Sequence, residues 1–229
     1  MRHLGRRQYA SSNVARSTER PTVIALTGLP GTGKSKLGAT LYRRLPGEFA
    51  YLDIDTVTRP LVRAALTVNR LSLTTAAENG NLRTLRDAQY SCLLDQVREL
   101  VSFERSVLFI APMTHELADP PDFLRMVASL GPARFLLIRT HASPEAVRSR
   151  LERRGDFLDD LRLSRWEIDR YRYDRPMPLP MNGLELDSSD RSPKSLAEHA
   201  LRWLSVELDW TQRGANHEAN PSATAHMRE

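Results

Sequence analysis

Cysteine is nearly absent. Cys92 is the only one in 229 residues, so no disulfide framework can form within the chain, and a reducing cytoplasm is the expected compartment. No apolar run approaches the ~20 residues needed to cross a bilayer, and the basic N-terminal stretch lacks the apolar segment of a secretory signal, so no membrane association is expected. The six histidines are scattered and form no ligand spacing for a metal, and no Ser-His-Asp arrangement is indicated. Cys92 lies on an amphipathic helical stretch and is expected to be inert packing.

A hydrophobic share of 41% and a charged share of 27% are those of a globular protein, long enough for one well-buried domain and too short for two of ordinary size. The net charge of +5 is concentrated in residues 1–20, where Arg2, Arg6, Arg7, Arg16 and Arg20 face only Glu19 and supply +4 of it. This segment reads as a disordered basic tail or as a nucleic-acid arm. Residues 211–229 read as a second disordered tail, and the domain as 21–210. The domain is close to neutral, which disfavours a nucleic-acid backbone as partner.

Between the tails, apolar β-type runs alternate with amphipathic helical stretches, which predicts a parallel sheet of about five strands with helices on both faces. Strands are expected at residues 22–27, 48–54, 106–111, 134–140 and 183–186. Helices are expected at 34–45, 82–103, 121–130, 143–154, 159–173 and 192–208, with serine capping signals at Ser143 and Ser192. Residues 57–82 are ambiguous, with short helices and a loop over the substrate side as the expectation.

The most informative stretch is TVIALTGLPGTGKSKLGATL at residues 22–41. It reads as strand, glycine-rich loop and helix. Gly28, Gly31, Gly33, Lys34 and Ser35 fit the pattern G-x-x-x-x-G-K-[ST], in which glycines let successive backbone N–H groups turn toward an anion and the helix N-terminus adds its dipole. Pro30 stiffens the loop, and Thr32 and Lys36 complete the expected nucleotide-binding set. Lys34 is expected to reach the β- and γ-phosphates and Ser35 to bind Mg²⁺.

Downstream, Asp53 and Asp55 sit two apart at the carboxyl end of a strand, where open α/β sheets form their ligand crevice. One carboxylate can assist the metal and the other accept the proton of an attacking hydroxyl; Asp53 is expected on the metal side and Asp55 as the base. The alternative is that they cap the following helix through Asp55 or Thr56. Arg59 is a candidate for pairing an acidic group on the acceptor. Arg150 and Arg154 share a helix face and are candidate lid cations for the transferring phosphoryl group, with Arg148 and Arg153 beside them. His115, flanked by Thr114 and Glu116, follows the SVLFIA strand and is a candidate contact for the acceptor. That strand carries no acid at its end.

Taken together, GLPGTGKS, the strand ending LDID, the segment RSRLERRGD and the late strand ELDSSD resemble the P-loop kinase superfamily. The nearest likeness is to the group that includes chloramphenicol phosphotransferase, zeta-toxin-type kinases and the kinase domain of polynucleotide kinases, often labelled AAA-type ATP-binding proteins. The resemblance implies a three-layer P-loop NTPase sandwich with a helical lid and dependence on ATP and Mg²⁺. It also implies Asp55 as base, lid arginines at Arg150 and Arg154, and an adenine-side loop at Asp187 to Arg191. The expected activity is ATP-dependent transfer of the γ-phosphate to a hydroxyl of a metabolite, nucleoside, sugar or antibiotic, by a monomer or homodimer. The alternatives are a nucleotide-dependent ATPase or binding protein without such an acceptor, and a polynucleotide 5′-hydroxyl kinase. A GTPase switch would need a base-reading N-K-x-D, which the sequence lacks.

Overall fold

A computed structural model describes residues 20–68, 81–156, 159–174 and 178–209. Both expected tails, apart from Arg20, and the segment 69–80 lie outside the described residues.

The strands are β1 (Thr22–Thr27), β2 (Phe49–Asp53), β3 (Ser106–Ile110), β4 (Arg134–His141) and β5 (Leu184–Asp187). They form one parallel sheet in the order β2-β3-β1-β4-β5. β1 is central, and all six of its residues are buried, which is why it is a continuous apolar run rather than an alternating one. Alternation persists in what each residue touches. Val23 and Ala25 pack on one face with Val107, Phe109 and Leu137, whereas Ile24 and Leu26 pack on the other with Leu108, Ile110 and Ile138.

The helices on the second face are α1 (Lys34–Tyr42) and α9 (Pro193–Glu207), through Leu37, Leu41, Leu196, Ala200 and Leu204. The first face is covered by α3 (Asn81–Ser102) and α4 (Pro120–Ser129), through Leu93, Val97 and Phe123. The serine signals operate as expected: Ser143 accepts a hydrogen bond from the Ala146 amide ahead of α5 (Pro144–Arg154), and Ser192 accepts one from Ser195 ahead of α9. The expected sheet, layers and strand number are all present.

Two stretches differ from expectation. The ambiguous region opens as a single helix, α2 (Ile54–Val68), despite Pro60 inside it. Its buried residues Ile54, Thr58, Val62 and Leu66 recur every four positions, and Val62 and Leu66 pack against Leu82 and Leu85 of α3, so tertiary packing outweighs the missing proline N–H. The expected helix over 159–173 is divided into three short pieces, α6 (Asp159–Ser164), α7 (Trp166–Asp169) and α8 (Tyr171–Asp174). Arg165 departs from helical geometry (φ −106°, ψ 12°), and the chain folds back so that Trp166 joins Val147 and Leu151 of α5 in a separate small core.

Candidate active site

β1 and α1 hold the glycine loop at the carboxyl edge of the sheet. Gly28 has φ +141°, and a Cβ there would stand 2.2 Å from the Thr140 carbonyl oxygen, so the loop must leave β1 at a position only glycine tolerates. Gly31 has φ +82° and abuts Val147 of α5. Four successive loop carbonyls are then tied by side-chain donors. The Leu29 oxygen accepts from Thr32 Oγ1 (2.8 Å) and Lys34 Nζ (3.1 Å), and that of Pro30 from the Tyr173 hydroxyl (3.2 Å). The Gly31 oxygen accepts from Arg150 (3.4 Å), and that of Thr32 from Ser188 Oγ (2.9 Å). With these carbonyls paired, the loop backbone is held in one shape around the cavity that Gly31, Gly33 and Lys34 line. α1 begins after Gly33 without any side-chain cap, so its first-turn amides remain available to an anion.

Thr32 is buried and spends its hydroxyl on Leu29 and Thr140, which makes it structural support for the loop. Lys34, Ser35 and Lys36 line a cavity of about 840 Å³ that also takes in Pro30, Gly31 and Gly33. Burial lowers the Lys34 ammonium to a pKa of about 8; Asp55 and Asp53 act against that shift, and Arg162 and Arg154 act with it.

Asp53 and Asp55 line the same cavity but are not a pair on one strand face. β2 ends at Asp53 and α2 starts at Ile54, so the two-residue periodicity of a strand does not reach Asp55. Asp53 is buried and accepts a hydrogen bond from the Asp55 amide at 3.0 Å, capping α2. The helix-capping role thus falls to Asp53 rather than to Asp55 or Thr56. Asp55 is 50% exposed in its side chain and projects from the first turn of α2. Arg59, one turn on, contacts Asp55 at 3.3 Å and Asp156 of the turn after α5 at 3.0 Å. In this structure, its partners are therefore the protein's own carboxylates.

The two lid arginines diverge. Arg150 points back to the β5–α9 loop, donating to the carbonyl oxygens of Ser188 (2.5 Å) and Ser189 (3.1 Å) and to Ser188 Oγ (3.1 Å). Arg154 grips Asp159 through two hydrogen bonds of 2.6 and 2.5 Å, and Arg162 donates to the same carboxylate at 2.7 Å. Asp159 has no exposed surface. Burial pushes its pKa up, but the arginine hydrogen bonds outweigh this and bring it below the ordinary carboxylate value. Arg150, Arg153, Arg154, Arg162 and Arg191 all border the large cavity.

His115 is exposed and precedes a short 3₁₀ turn, Glu116–Ala118; it lines neither this cavity nor the smaller one described next. Its neighbour Glu116 is instead bound by Arg86.

A second cavity, of about 300 Å³, adjoins the first and shares Pro30, Ile54, Asp55, Pro112 and Arg162 with it. Asp55 therefore stands at the junction. Sequence reasoning does not single out Asp159, Arg162 or Tyr173, and it places Ser188 only within the expected adenine-side loop Asp187 to Arg191, not as a support of the glycine loop. The signal for the first two is the i, i+3 pair Asp159–Arg162 five residues after Arg154, whereas nothing local marks Ser188 or Tyr173, which act across 156 and 143 residues.

The donors facing the large cavity near Lys34 are hard oxygens, Ser35 Oγ and the carboxylate of Asp53, which suit Mg²⁺ rather than a softer metal. No cluster of three or more His, Cys, Asp or Glu capable of holding a metal occurs among the described residues, so such an ion would complete its shell with phosphate oxygens and water. No helix of the described residues is long and apolar enough to cross a membrane.

A search of curated proteins finds no match. Among solved structures, the chain is similar to a kinase candidate from Chloroflexus aurantiacus j-10-fl, with 18% identity and a TM-score of 0.62 over 83% of this chain and 99% of that one. It is also similar to a gluconokinase from Sinorhizobium meliloti 1021, with 15% identity and a TM-score of 0.53 over 84% and 98%. These likenesses concern the fold. The profile of the AAA domain family matches residues 23–176, most of the folded part including the loop, both aspartates and the lid arginines. The chain belongs to the AAA domain family, and its fold is that of the P-loop kinases.

Proposed function

We propose that the protein is an ATP- and Mg²⁺-dependent phosphotransferase that moves the γ-phosphate to a hydroxyl of a small molecule. The observation that carries this reading is the position of Asp55 on the wall shared by two adjoining cavities, one lined by Gly31, Gly33, Lys34 and Ser35 of the glycine loop and the other bordered by that loop at Leu29 and Pro30 and otherwise mainly by residues of α2, α3 and α6–α8. A protein that only bound or hydrolysed nucleotide would have no need of the second chamber.

In this reading the loop amides and Lys34 hold the β- and γ-phosphates, and Arg191, Pro193 and Leu196 border the part of the cavity left for the base. Mg²⁺, held by Ser35 with Asp53 beside it, would neutralise phosphate charge. Asp55 accepts the proton of the acceptor hydroxyl as its oxygen bonds to the γ-phosphorus. The bond from that phosphorus to the β,γ-bridging oxygen breaks, and ADP leaves with the electron pair. Arg154 and Arg162, oriented by Asp159, stand over the same cavity to offset charge on the transferring group.

The test is ADP release by the full chain with MgATP, with and without a panel of alcohols, combined with mass spectrometry for the phosphorylated acceptor. Lys34→Ala should lower transfer by about 10³-fold. Asp55→Asn should lower it by about 10²–10⁴-fold with ATP binding retained. Full activity in the Asp55 variant would remove the base assignment, and ADP release indifferent to every alcohol would favour an ATPase.

A further inference from the structure

Arg59 joins two parts of the site that lie far apart in the chain. It stands on α2 one turn after Asp55, and residues four apart share a helix face, so one terminal nitrogen reaches Asp55 Oδ2 at 3.3 Å. The other reaches Asp156 Oδ2 at 3.0 Å, in the turn after α5. Gly155 ends α5 in the left-handed conformation (φ +58°), and this reversal delivers Asp156. Within the same turn the Asp159 amide donates to the Asp156 carbonyl oxygen at 2.7 Å, and Asp159 is the acid that orients Arg154 and Arg162. Two acids three residues apart therefore tie one segment to α2 on one side and to the lid arginines on the other.

The two halves of the bridge differ. The Asp156 side chain is 10% exposed and makes the shorter contact, whereas Asp55 is half exposed and makes the longer one. Ion pairs strengthen as solvent is withdrawn, so Arg59 is anchored on the lid turn and lends its remaining nitrogen to Asp55. Both terminal nitrogens are engaged, and an acidic group on an acceptor would have to take one of them from a carboxylate.

We infer that Arg59 is a positioning residue that couples the lid to the base: held by Asp156, it orients the Asp55 carboxylate, which stands ready to accept a proton only while the lid turn is in place. This rests on the kinase reading above and adds to it a control on when the base is set. Asp55, Arg59, Arg154 and Arg162 border one cavity. Because a single segment fixes both the arginines and, through Arg59, the base, charge stabilisation and proton acceptance are assembled in one movement.

The test is ADP release by the full chain with MgATP and water as the acceptor, resolved into kcat and KM, together with hydrogen exchange in α6. Arg59→Met and Asp156→Asn should each lower kcat about tenfold or more with KM for ATP unchanged. The double variant should be no slower than the slower single one, since both break the same bridge. Arg59→Lys keeps the charge and the aliphatic stem, but its single ammonium cannot span both carboxylates, so it should lose activity to the same extent. Exchange in α6 should quicken in every one of these variants, while melting temperatures stay close to the parent's because the bridge is partly exposed. Additive losses in the double variant, a rise in KM with kcat unchanged, or unaltered exchange in α6 would overturn the inference. The two readings fail separately. If Asp55→Asn slows ADP release and Asp156→Asn does not, only the coupling is lost. If Asp55→Asn releases ADP at the parent's rate, the base assignment of the kinase reading falls first.

Discussion

In the phosphate loop, four consecutive carbonyls are tied down by hydroxyls, an ammonium and one guanidinium, whereas the lid turn that faces it is held by ion pairs centred on the buried Asp159. Both border one cavity. The loop's shape is fixed by backbone hydrogen bonds and steric limits at glycine, which respond little to charge. The lid's shape depends on a carboxylate, Asp159, that holds two arginines, and in the proposed reaction it would compete with phosphate for them. Fixed amides suit a group that is bound throughout, and exchangeable arginines suit charge that develops only during transfer.

The contrast can be broken most severely at Gly28. Gly28→Ala would drive a Cβ into the Thr140 carbonyl, and a loss of about 3 kcal/mol in stability is expected, measurable by urea unfolding. Next is Asp159→Asn. Removing one partner of a fully buried pair costs about 3–5 kcal/mol, but Arg154 and Arg162 keep 45% and 33% of their side chains exposed, so about 2 kcal/mol is expected. The loss should appear as faster hydrogen exchange in α6 with the loop unaffected. Because the folded pKa of Asp159 is depressed, its contribution is full above the ordinary carboxylate value and vanishes as pH falls through the folded one. Acid should therefore loosen the lid before the loop.

Lys34 sharpens the comparison from the loop side. With its pKa near 8, the free protein loses this charge as pH rises past that value, while bound phosphates would keep it protonated. The dissociation constant for ATP should be flat below pH 8 and rise about tenfold by pH 9, about 1.4 kcal/mol. Stability of the free protein moves the opposite way: the cost of burying the charged amine is present below pH 8 and is relieved between pH 8 and 10.5. The smallest effect is expected from Ser188→Ala, which removes the donor to the Thr32 carbonyl and the acceptor for Arg150. About 1 kcal/mol is expected, read as a lowered melting temperature with a small rise in KM for ATP.

The sequence carries the elements whose signal is local. Runs such as VLFI at residues 107–110 are apolar at every position because both sheet faces are covered, and the loop motif names its own chemistry. Asp53 and Asp55 were harder to place because one residue decides whether Asp55 continues a strand or opens a helix, and the amide it offers to Asp53 selects the helix. The place of Arg154 beside the cavity was legible from its helix, but its orientation depends on Asp159, beyond the α5 terminus. The partners of the loop carbonyls at Tyr173 and Ser188 leave no local trace, since serine and tyrosine at those positions fit any solvent-facing turn. His115 lies outside both cavities because the chain after Ala111 buries Met113 and turns His115 to the surface.

The bond from Ser188 to Thr32 closes a span of 156 residues, and α9, which follows it, covers the sheet face that α1 shares. On the ribosome, the glycine motif emerges early, whereas its bond to Ser188 and the helix that packs beside α1 form only after β5 and α9 have left the tunnel. A nascent chain halted after α8 would carry the whole nucleotide signature and lack the strand edge, serine and helix that set it. Synthesis of this protein thus keeps its nucleotide site unfinished until nearly the last stretch of the domain is made.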